Sequence, residues 1–219
     1  MARIPLKFGP EVLTSVTCAR AALTVENQRG EISQGWGETP LSVQWVWPGN
    51  LSYEIRENAL KKICKIIARY ISGFNEKGHP FELGHRFQNE VLLKLLDDFN
   101  HDEKLQEPLP YLAALVCFSL FDIALHDAYG NVNKVPTYGT YNKDYMNRDL
   151  SFYLKAADNY AFDFKDRYPE DFFTKPAAKE MAAWRKKQGK KCHIRFAGIA
   201  ETGGYGCLDW GKYAQNWAW

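Results

Sequence analysis

One segment of this chain, Leu112 to Tyr129, is apolar on nearly every side of the helix that its sequence predicts. The predicted helix opens near Pro110, a residue suited to the first helical turn, and stops at Gly130, a residue type that often follows a helix end. A surface helix needs only one apolar stripe, whereas a helix that is apolar all round must be covered on several sides. The segment therefore predicts a central helix between two layers, with something beyond the first domain packed on it.

Two amphipathic helices are predicted before this segment. The first follows a break at Pro48-Gly49-Asn50, and either Asn50 or Ser52 can cap it. Its predicted buried stripe comprises Ile55, Ala59, Ile63, Ile67, Tyr70 and Phe74. The second helix begins after His79-Pro80, with a stripe of Leu83, Phe87, Val91, Leu95 and Phe99.

The N-terminal part predicts an antiparallel β-hairpin. The segment from Val16 to Val25 predicts a strand, because every second residue from Ala19 onwards is apolar, which is the period of a half-buried strand. The residues on that apolar face are Ala19, Ala21, Leu23 and Val25. A turn from Asn27 to Gly30 follows, and a second strand continues with Ile32, Gln34 and Trp36 on one face.

The string Gly35-Trp36-Gly37-Glu38 is the most distinctive motif of the chain. On a strand, Gly35 and Gly37 point to the same face, which lets another backbone or a bulky ring approach closely. A phosphate-binding loop would need a longer glycine pattern followed directly by a helix. We therefore expect a structural role at the sheet.

Few residues have the spacing of a catalytic or metal site. Asp122 and His126 are four residues apart on the apolar helix, and we expect a structural pair, because Asp127 points elsewhere and no further ligand is near. For His79 and His85 we expect loop and helix-cap chemistry. No catalytic, cofactor-binding or metal-binding residue is assigned. The basic run 185–191 is interpreted as a solvated turn, and a net charge of only +2 disfavours nucleic-acid binding.

Cysteine usage and the apolar pattern indicate a cytoplasmic setting. The five cysteines are widely spaced, with no C-x-x-C pair, and they are Cys18, Cys64, Cys117, Cys192 and Cys207. Neither a disulfide framework nor a zinc ribbon is expected, and Cys64 and Cys117 fall in apolar helical contexts as small hydrophobic residues. The N-terminus lacks the apolar core of a signal peptide, and no apolar run approaches the ~20 residues of a membrane helix. No membrane partner is therefore expected.

The order of these features resembles the capping domain of the enolase superfamily, in particular the mandelate racemase and muconate-lactonizing group. Members carry a similar G-W-G-E at a strand end and an A-x-D-x-A-L-x-D-x-x-G helix just before a barrel. The matching helix residues here are Asp122, Ala124, Leu125, Asp127 and Gly130. The resemblance implies an α+β cap, a hairpin or meander followed by a helical bundle, joined to a (β/α)-barrel. It also implies a Mg²⁺-dependent racemase or dehydratase that removes the proton α to the carboxylate of a small acid or acid sugar.

The length of the chain limits what this resemblance can supply. We expect a cap over residues 1–132, the beginning of a barrel over 133–184, and an anomalous tail over 185–219 that is out of frame or disordered. The stretch after Val135 is about a third of the roughly 250 residues of a full barrel. A strand is predicted for Val135 to Tyr141 and a helix for Met146 to Leu154.

The family's metal-binding carboxylates come from later barrel strands, and its Lys-x-Lys base motif has no convincing counterpart here. Residues 192–196 offer only a His-x-Arg pattern, and the glycine-rich 203–206 lacks the lysine and helix of a P-loop. We therefore expect a fragment that is inactive by itself and that associates or aggregates through exposed barrel edges. The alternative is a stand-alone, non-catalytic binding or scaffolding protein, which would need the segment after Val135 to fold back over the apolar helix.

Overall fold

The computed structural model describes residues 6–8, 11–13, 15–156 and 162–173, and it has a mixed α+β architecture. The strands are β1 (Leu6–Phe8), β2 (Glu11–Leu13), β3 (Cys18–Glu26) and β4 (Ile32–Pro40). The helices are α1 (Val43–Val46), α2 (Tyr53–Ser72), α3 (Pro80–Arg86), α4 (Leu93–Glu103) and α5 (Tyr111–Asn133). A π-helical turn, Phe87–Leu92, joins α3 to α4, and short 3₁₀ turns occupy Thr137–Thr140, Leu150–Phe152 and Pro169–Phe172.

Strands β3 and β4 form the predicted hairpin. Their antiparallel register runs from Cys18 opposite Pro40 to Glu26 opposite Ile32. Gly30 closes the turn with a φ of 75°, which glycine adopts without steric cost. The inward face of β3 is the predicted apolar one. Strands β1 and β2 form a separate antiparallel pair.

Helix α5 is the central element, as its composition predicts. The β3–β4 hairpin packs on one side of it, and α2 and the other helices pack on further sides. Small residues of α5, including Ala113, Ala114 and Cys117, are fully buried together with Leu60 and Ile63 of α2. The requirement for two covering layers is therefore confirmed. Beyond residue 132, the turn Thr137–Thr140 also packs on α5.

The predicted second helix is interrupted by the π turn, which shifts its buried stripe. Phe87 is buried as predicted, whereas the predicted Val91 and Leu95 are only half-buried and pack against the core. Leu92 and Leu96 are the fully buried residues in this part of the stripe. A π turn adds one residue to the helix, so later residues rotate by about 100° relative to a continuous α-helix. Phe99 is buried again, because the stripe continues on α4 with a spacing of three.

The buried face of α2 contains Ala59, Ile63 and Ile67 as predicted, and it differs from the prediction towards the two ends of the helix. Ser52 caps the helix, as expected, by accepting a hydrogen bond from the Ile55 backbone N–H at 3.3 Å. Ile55 and Tyr70 are 44% and 43% exposed, whereas Arg56 and Leu60 are buried. Arg56 Nη1 donates to the Trp47 carbonyl at 2.6 Å, which compensates in part for burying the guanidinium.

Three predictions after Tyr129 are wrong. Helix α5 continues past Gly130 to Asn133, and Lys134 ends it in the left-handed conformation with a φ of 57°. The predicted strand Val135 to Tyr141 is instead the 3₁₀ turn Thr137–Thr140, and the predicted helix Met146 to Leu154 contains only the 3₁₀ turn Leu150–Phe152. Gly130 stays inside the helix because the returning chain packs on it: a Cβ there would lie 2.9 Å from Thr137 Oγ1.

Within residues 133–156 and 162–173 the regular elements are 3₁₀ turns, so the expected start of a barrel stays a prediction. The anomalous tail 185–219 lies outside the described residues.

Helix α5 is long and apolar enough to cross a membrane by length and composition. It has 23 residues, and its most apolar 18-residue window has a mean hydropathy of 1.5. The expectation that no segment has this length is therefore wrong. Half of that window is buried inside the fold, and core helices of soluble proteins pass the same test, so the helix is only weak evidence for a membrane.

Candidate functional site

The Gly35-Trp36-Gly37-Glu38 strand lies directly against the backbone of α5. A Cβ added to Gly37 would lie 1.9 Å from the Leu120 carbonyl oxygen, and one added to Gly35 would lie 2.0 Å from the Ala128 nitrogen. Any side chain at either position would therefore overlap main-chain atoms. The predicted structural role of the two glycines, a close approach of backbone to backbone, is confirmed.

A buried carboxylate completes this contact. The Trp36 backbone N–H donates to Asp127 Oδ2 at 2.8 Å, and Asp127 is only 4% exposed. Burial raises the pKa of Asp127, while the hydrogen bonds from Trp36 and Asn131 oppose this rise. Asn131 also donates from Nδ2 to the Gln34 carbonyl at 3.0 Å. Strand β4 and helix α5 are thus joined by packing and by two hydrogen bonds.

His79 lies at the centre of a second cluster, between α3, α5 and the turn after α5. Its Nε2 lies 3.0 Å from Thr140 Oγ1, and the Thr140 hydroxyl donates its own hydrogen to the Thr137 carbonyl at 2.6 Å. His79 Nε2 must therefore be the donor to Thr140. Its Nδ1 accepts from the Phe81 backbone N–H at 3.2 Å, so the ring is neutral and caps α3. This confirms the helix-cap chemistry expected for His79.

Glu82 connects the loop that contains Asn147 and Arg148 to the start of α3 through hydrogen bonds. Its carboxylate accepts from the His79 backbone N–H, completing a capping box. It also accepts from the backbone N–H groups of Asn147 at 2.6 Å and Arg148 at 2.9 Å. Sequence reasoning missed this role, because the contact joins residues 65 and 66 positions apart.

His126 bonds to Tyr141 rather than to its expected partner Asp122. The Tyr141 hydroxyl lies 2.8 Å from His126 Nδ1, and the two rings stack with an interplanar angle of 6°. Asp122 Oδ1 lies 3.9 Å from His126 Nε2, too far for a hydrogen bond. Burial, helped by His79, lowers the pKa of His126 to about 3, so this contact is not an ion pair at neutral pH. The two residues therefore share a face, but they do not form the expected close pair.

Asp122 is held between α5 and α3. A Cβ on Gly84 would lie 2.4 Å from Asp122 Oδ1, so the glycine leaves room for this carboxylate. The Asp122 side chain keeps 31% exposure, and its partial burial raises the pKa of the carboxyl to about 6. His85, also considered with His79, instead packs on Tyr153, with ring centroids 4.9 Å apart.

These residues do not fit a Mg²⁺ site. His79 is 1% exposed, and both of its ring nitrogens make hydrogen bonds. One ring nitrogen of His126 is engaged by Tyr141. Across the described part of the chain, no group of three or more histidine, cysteine or carboxylate side chains could hold a metal ion. We therefore assign no metal-dependent step to them.

The cluster predicts a loss of stability in acid. Burial lowers the pKa of His79 from 6.5 to about 4, as it lowers that of His126. Between these two pH values the unfolded chain binds a proton at His79 that the folded chain does not bind. The contribution of the neutral ring to folding stability is therefore fully present above pH 6.5 and is lost as the pH falls towards 4. Asp122 acts in the opposite sense, since its raised pKa favours the folded form between about pH 6 and 3.8. Because two histidines oppose one carboxyl group, we expect a net loss of about 3–4 kcal/mol from pH 7 to pH 4, measured by urea unfolding.

Two substitutions test which titratable groups cause the loss of stability in acid. His79→Asn keeps a capping side chain but removes the imidazole, so it should make the decline shallower. Asp122→Asn removes the opposing contribution and should make it steeper. The control is His101→Asn, on the exposed surface of α4. An unchanged pH profile in His79→Asn would contradict this account.

An open groove of about 380 Å³ lies between the end of α2 and the π turn. Its charged side chains are already matched, because Arg86 pairs with Glu76 at 2.9 Å and with Glu90 at 3.0 Å. Tyr70 and Phe74 supply its aromatic wall. The groove therefore gives no clear preference for a charged ligand.

The remaining sequence features with possible site character, 185–191, 192–196 and 203–206, lie outside the described residues. Among the described residues, the contact between β4 and α5 is the feature that brings the sequence motifs together.

Comparisons with protein-family models, with curated proteins and with solved structures give no match for this chain.

Proposed function

We propose that this chain is the capping portion of an enzyme resembling the mandelate racemase and muconate-lactonizing group, and that it is inactive by itself. The observation that carries the proposal is the contact between its two motif segments. Trp36 of the G-W-G-E strand and Asp127 of the A-L-x-D-x-x-G helix are 91 residues apart in sequence and joined by a 2.8 Å hydrogen bond. Gly37 of the same strand lies against the same helix. Two motifs that separately are weak thus belong to one structural unit.

The chemistry of the proposed full-length enzyme is proton abstraction α to a carboxylate. A divalent metal, Mg²⁺, would neutralise the charge that develops on a small carboxylate or acid-sugar substrate. The described residues do not provide that metal site, since His79 and His126 are engaged in internal hydrogen bonds. The proposed role of this chain is therefore that of the cap, whose loops close over a substrate and exclude water.

A second candidate is a stand-alone, non-catalytic binding or scaffolding protein. One observation favours it: the segment after Val135 folds back on α5, as this alternative requires. Tyr141 bonds to His126, and Thr137 packs against Gly130. A cap that covers its own central helix has less need of a barrel beside it.

Association in solution separates the two functions. Within the described residues β3 and β4 pair only with each other, so each has an open edge. On their outer face Ile32 is 65% and Trp36 is 45% exposed. Open strand edges beside exposed apolar side chains favour self-association. The cap proposal expects concentration-dependent association in analytical ultracentrifugation, whereas the stand-alone alternative expects a monomer.

The double variant Ile32→Lys/Trp36→Lys should weaken this association about tenfold, or by about 1.4 kcal/mol. Trp45→Lys is the matched control, because Trp45 is 55% exposed but belongs to α1 rather than to the hairpin. A wild-type monomer with a sharp thermal transition would contradict the cap proposal and favour the stand-alone protein.

A further inference from the structure

Two cysteines from different helices meet in the core. Cys64 belongs to α2 and Cys117 to α5, and both are free thiols. Cys64 Sγ lies 3.9 Å from the Cys117 carbonyl oxygen. Cys117 Sγ lies 3.6 Å from the carbonyl oxygen of Leu60, one helical turn before Cys64. Each sulfur therefore lies against the backbone of the opposite helix, at or within one turn of the other cysteine.

We propose that Cys64 and Cys117 form a reversible disulfide that cross-links α2 to α5 when the protein meets a peroxide. A disulfide requires closely spaced backbones with the two side chains directed at each other. The reciprocal contacts of the two sulfurs show that the two helix backbones are close at these positions and that each cysteine side chain is directed at the opposite helix. The proposal does not depend on the function proposed for the chain.

The two thiols differ in a way that sets the order of events. Cys64 is partly exposed, whereas Cys117 is fully buried. The contact with Cys117 lowers the pKa of the Cys64 thiol, while the contact with Cys64 and burial raise the pKa of the Cys117 thiol. Susceptibility to an oxidant follows exposure as well as thiolate character, so Cys64, the more exposed of the two, is the residue that meets the oxidant first.

The proposed reaction has two steps. The Cys64 thiolate attacks one oxygen of hydrogen peroxide, the O–O bond breaks, and a sulfenic acid and hydroxide form; the hydroxide is then protonated to water. The Cys117 sulfur, as it loses its proton, attacks the Cys64 sulfur, the S–O bond breaks, and the hydroxyl leaves as a second water. The two sulfurs lose two electrons together, and the peroxide oxygens gain them. A thiol reductant reverses the cross-link.

The cross-link would stabilise the fold by restricting the unfolded chain. The two cysteines are 53 residues apart, so the disulfide closes a long loop. Closing a loop of this size lowers the entropy of the unfolded state more than closing a short one. We expect the oxidised protein to melt roughly 5–10 °C above the reduced one.

The experiment treats the full chain with hydrogen peroxide and digests it without reductant before peptide mass spectrometry. The expected product is one peptide pair that joins Cys64 to Cys117, lacks two hydrogen atoms and separates on reduction. Cys18→Ser serves as the control, because Cys18 is exposed on β3 and should not be needed. Cys64→Ser should abolish the rise in the melting temperature, and Cys117→Ala repeats this test with a residue that suits a buried site.

Other outcomes overturn the proposal. Oxidation of Cys18 while Cys64 and Cys117 stay reduced would show that the core thiols are inaccessible. Pairing of Cys64 with Cys192 or Cys207 would assign the cross-link to a different pair. Sulfinic acid at Cys64 without a disulfide would show that Cys117 cannot reach it.

Discussion

Replacing Gly37 by alanine is expected to destabilise the fold by about 3 kcal/mol or more, near the upper end of the usual cost of overpacking a core. The new Cβ would lie 1.9 Å from the Leu120 carbonyl oxygen and 2.7 Å from the Ala124 nitrogen. Both atoms belong to the backbone of α5, so no side-chain rotation can relieve the overlap. The hairpin would have to move away from the helix, which would open the contact along its length. Urea unfolding followed by circular dichroism measures the loss.

The matched control for this prediction is Gly73→Ala. Gly73 follows α2, and a Cβ there meets its nearest atom, the Tyr70 carbonyl oxygen, at an ordinary 3.7 Å. Its φ of −100° is open to any residue, so we expect a change within about 0.5 kcal/mol. Equal stability of Gly37→Ala and Gly73→Ala would show that β4 and α5 are not in backbone contact.

Replacing Asp127 by alanine is expected to cost about 1–3 kcal/mol. The substitution removes the acceptor of the Trp36 backbone N–H and leaves this donor without its partner at the interface between β4 and α5. Asp127→Asn keeps an oxygen that can accept the same hydrogen bond, and it removes a buried carboxylate whose pKa is already raised. We therefore expect Asp127→Asn to lose less than Asp127→Ala. Chemical denaturation at pH 7 gives both values.

Amide hydrogen exchange measures the hydrogen bond between Trp36 and Asp127 directly. In the wild type the Trp36 amide should exchange slowly, and in Asp127→Ala it should exchange faster than its neighbours on β4. Asp97→Ala is the control, because Asp97 lies on the exposed surface of α4. Unchanged protection of the Trp36 amide in Asp127→Ala would show that the carboxylate does not hold the strand.

The hairpin and the central helix could be predicted from the sequence because their signals are local. Alternation from Ala19 to Val25 identified the inward face of β3. Because Gly35 and Gly37 share a face, the sequence predicted that another chain segment approaches this strand closely. The apolar pattern predicted a central helix, but it did not identify that helix as the approaching segment. That α5 supplies the approaching backbone is a tertiary fact, and no local pattern contains it.

Other features depend on how distant segments meet. The π turn moves the fully buried position of the stripe from Val91 to Leu92, and the helical spacing of the sequence does not predict it. The chain reverses at Lys134, which has a left-handed conformation. Glycine is the usual sequence signal for that conformation, and lysine is not. That reversal brings Tyr141 to His126, so the close partner of His126 could not be found while Val135 to Tyr141 was predicted as a strand.

The coding DNA tests the central claim, that this chain is the cap of a carboxylate-enolising enzyme, most directly. It should be read in all three forward frames from the Trp184 codon past the stop. The cap proposal predicts that another frame continues with βα units, a Lys-x-Lys strand and spaced Asp or Glu residues at strand ends. The absence of such a continuation in every frame would contradict the proposal, and the cap would then be a protein in its own right.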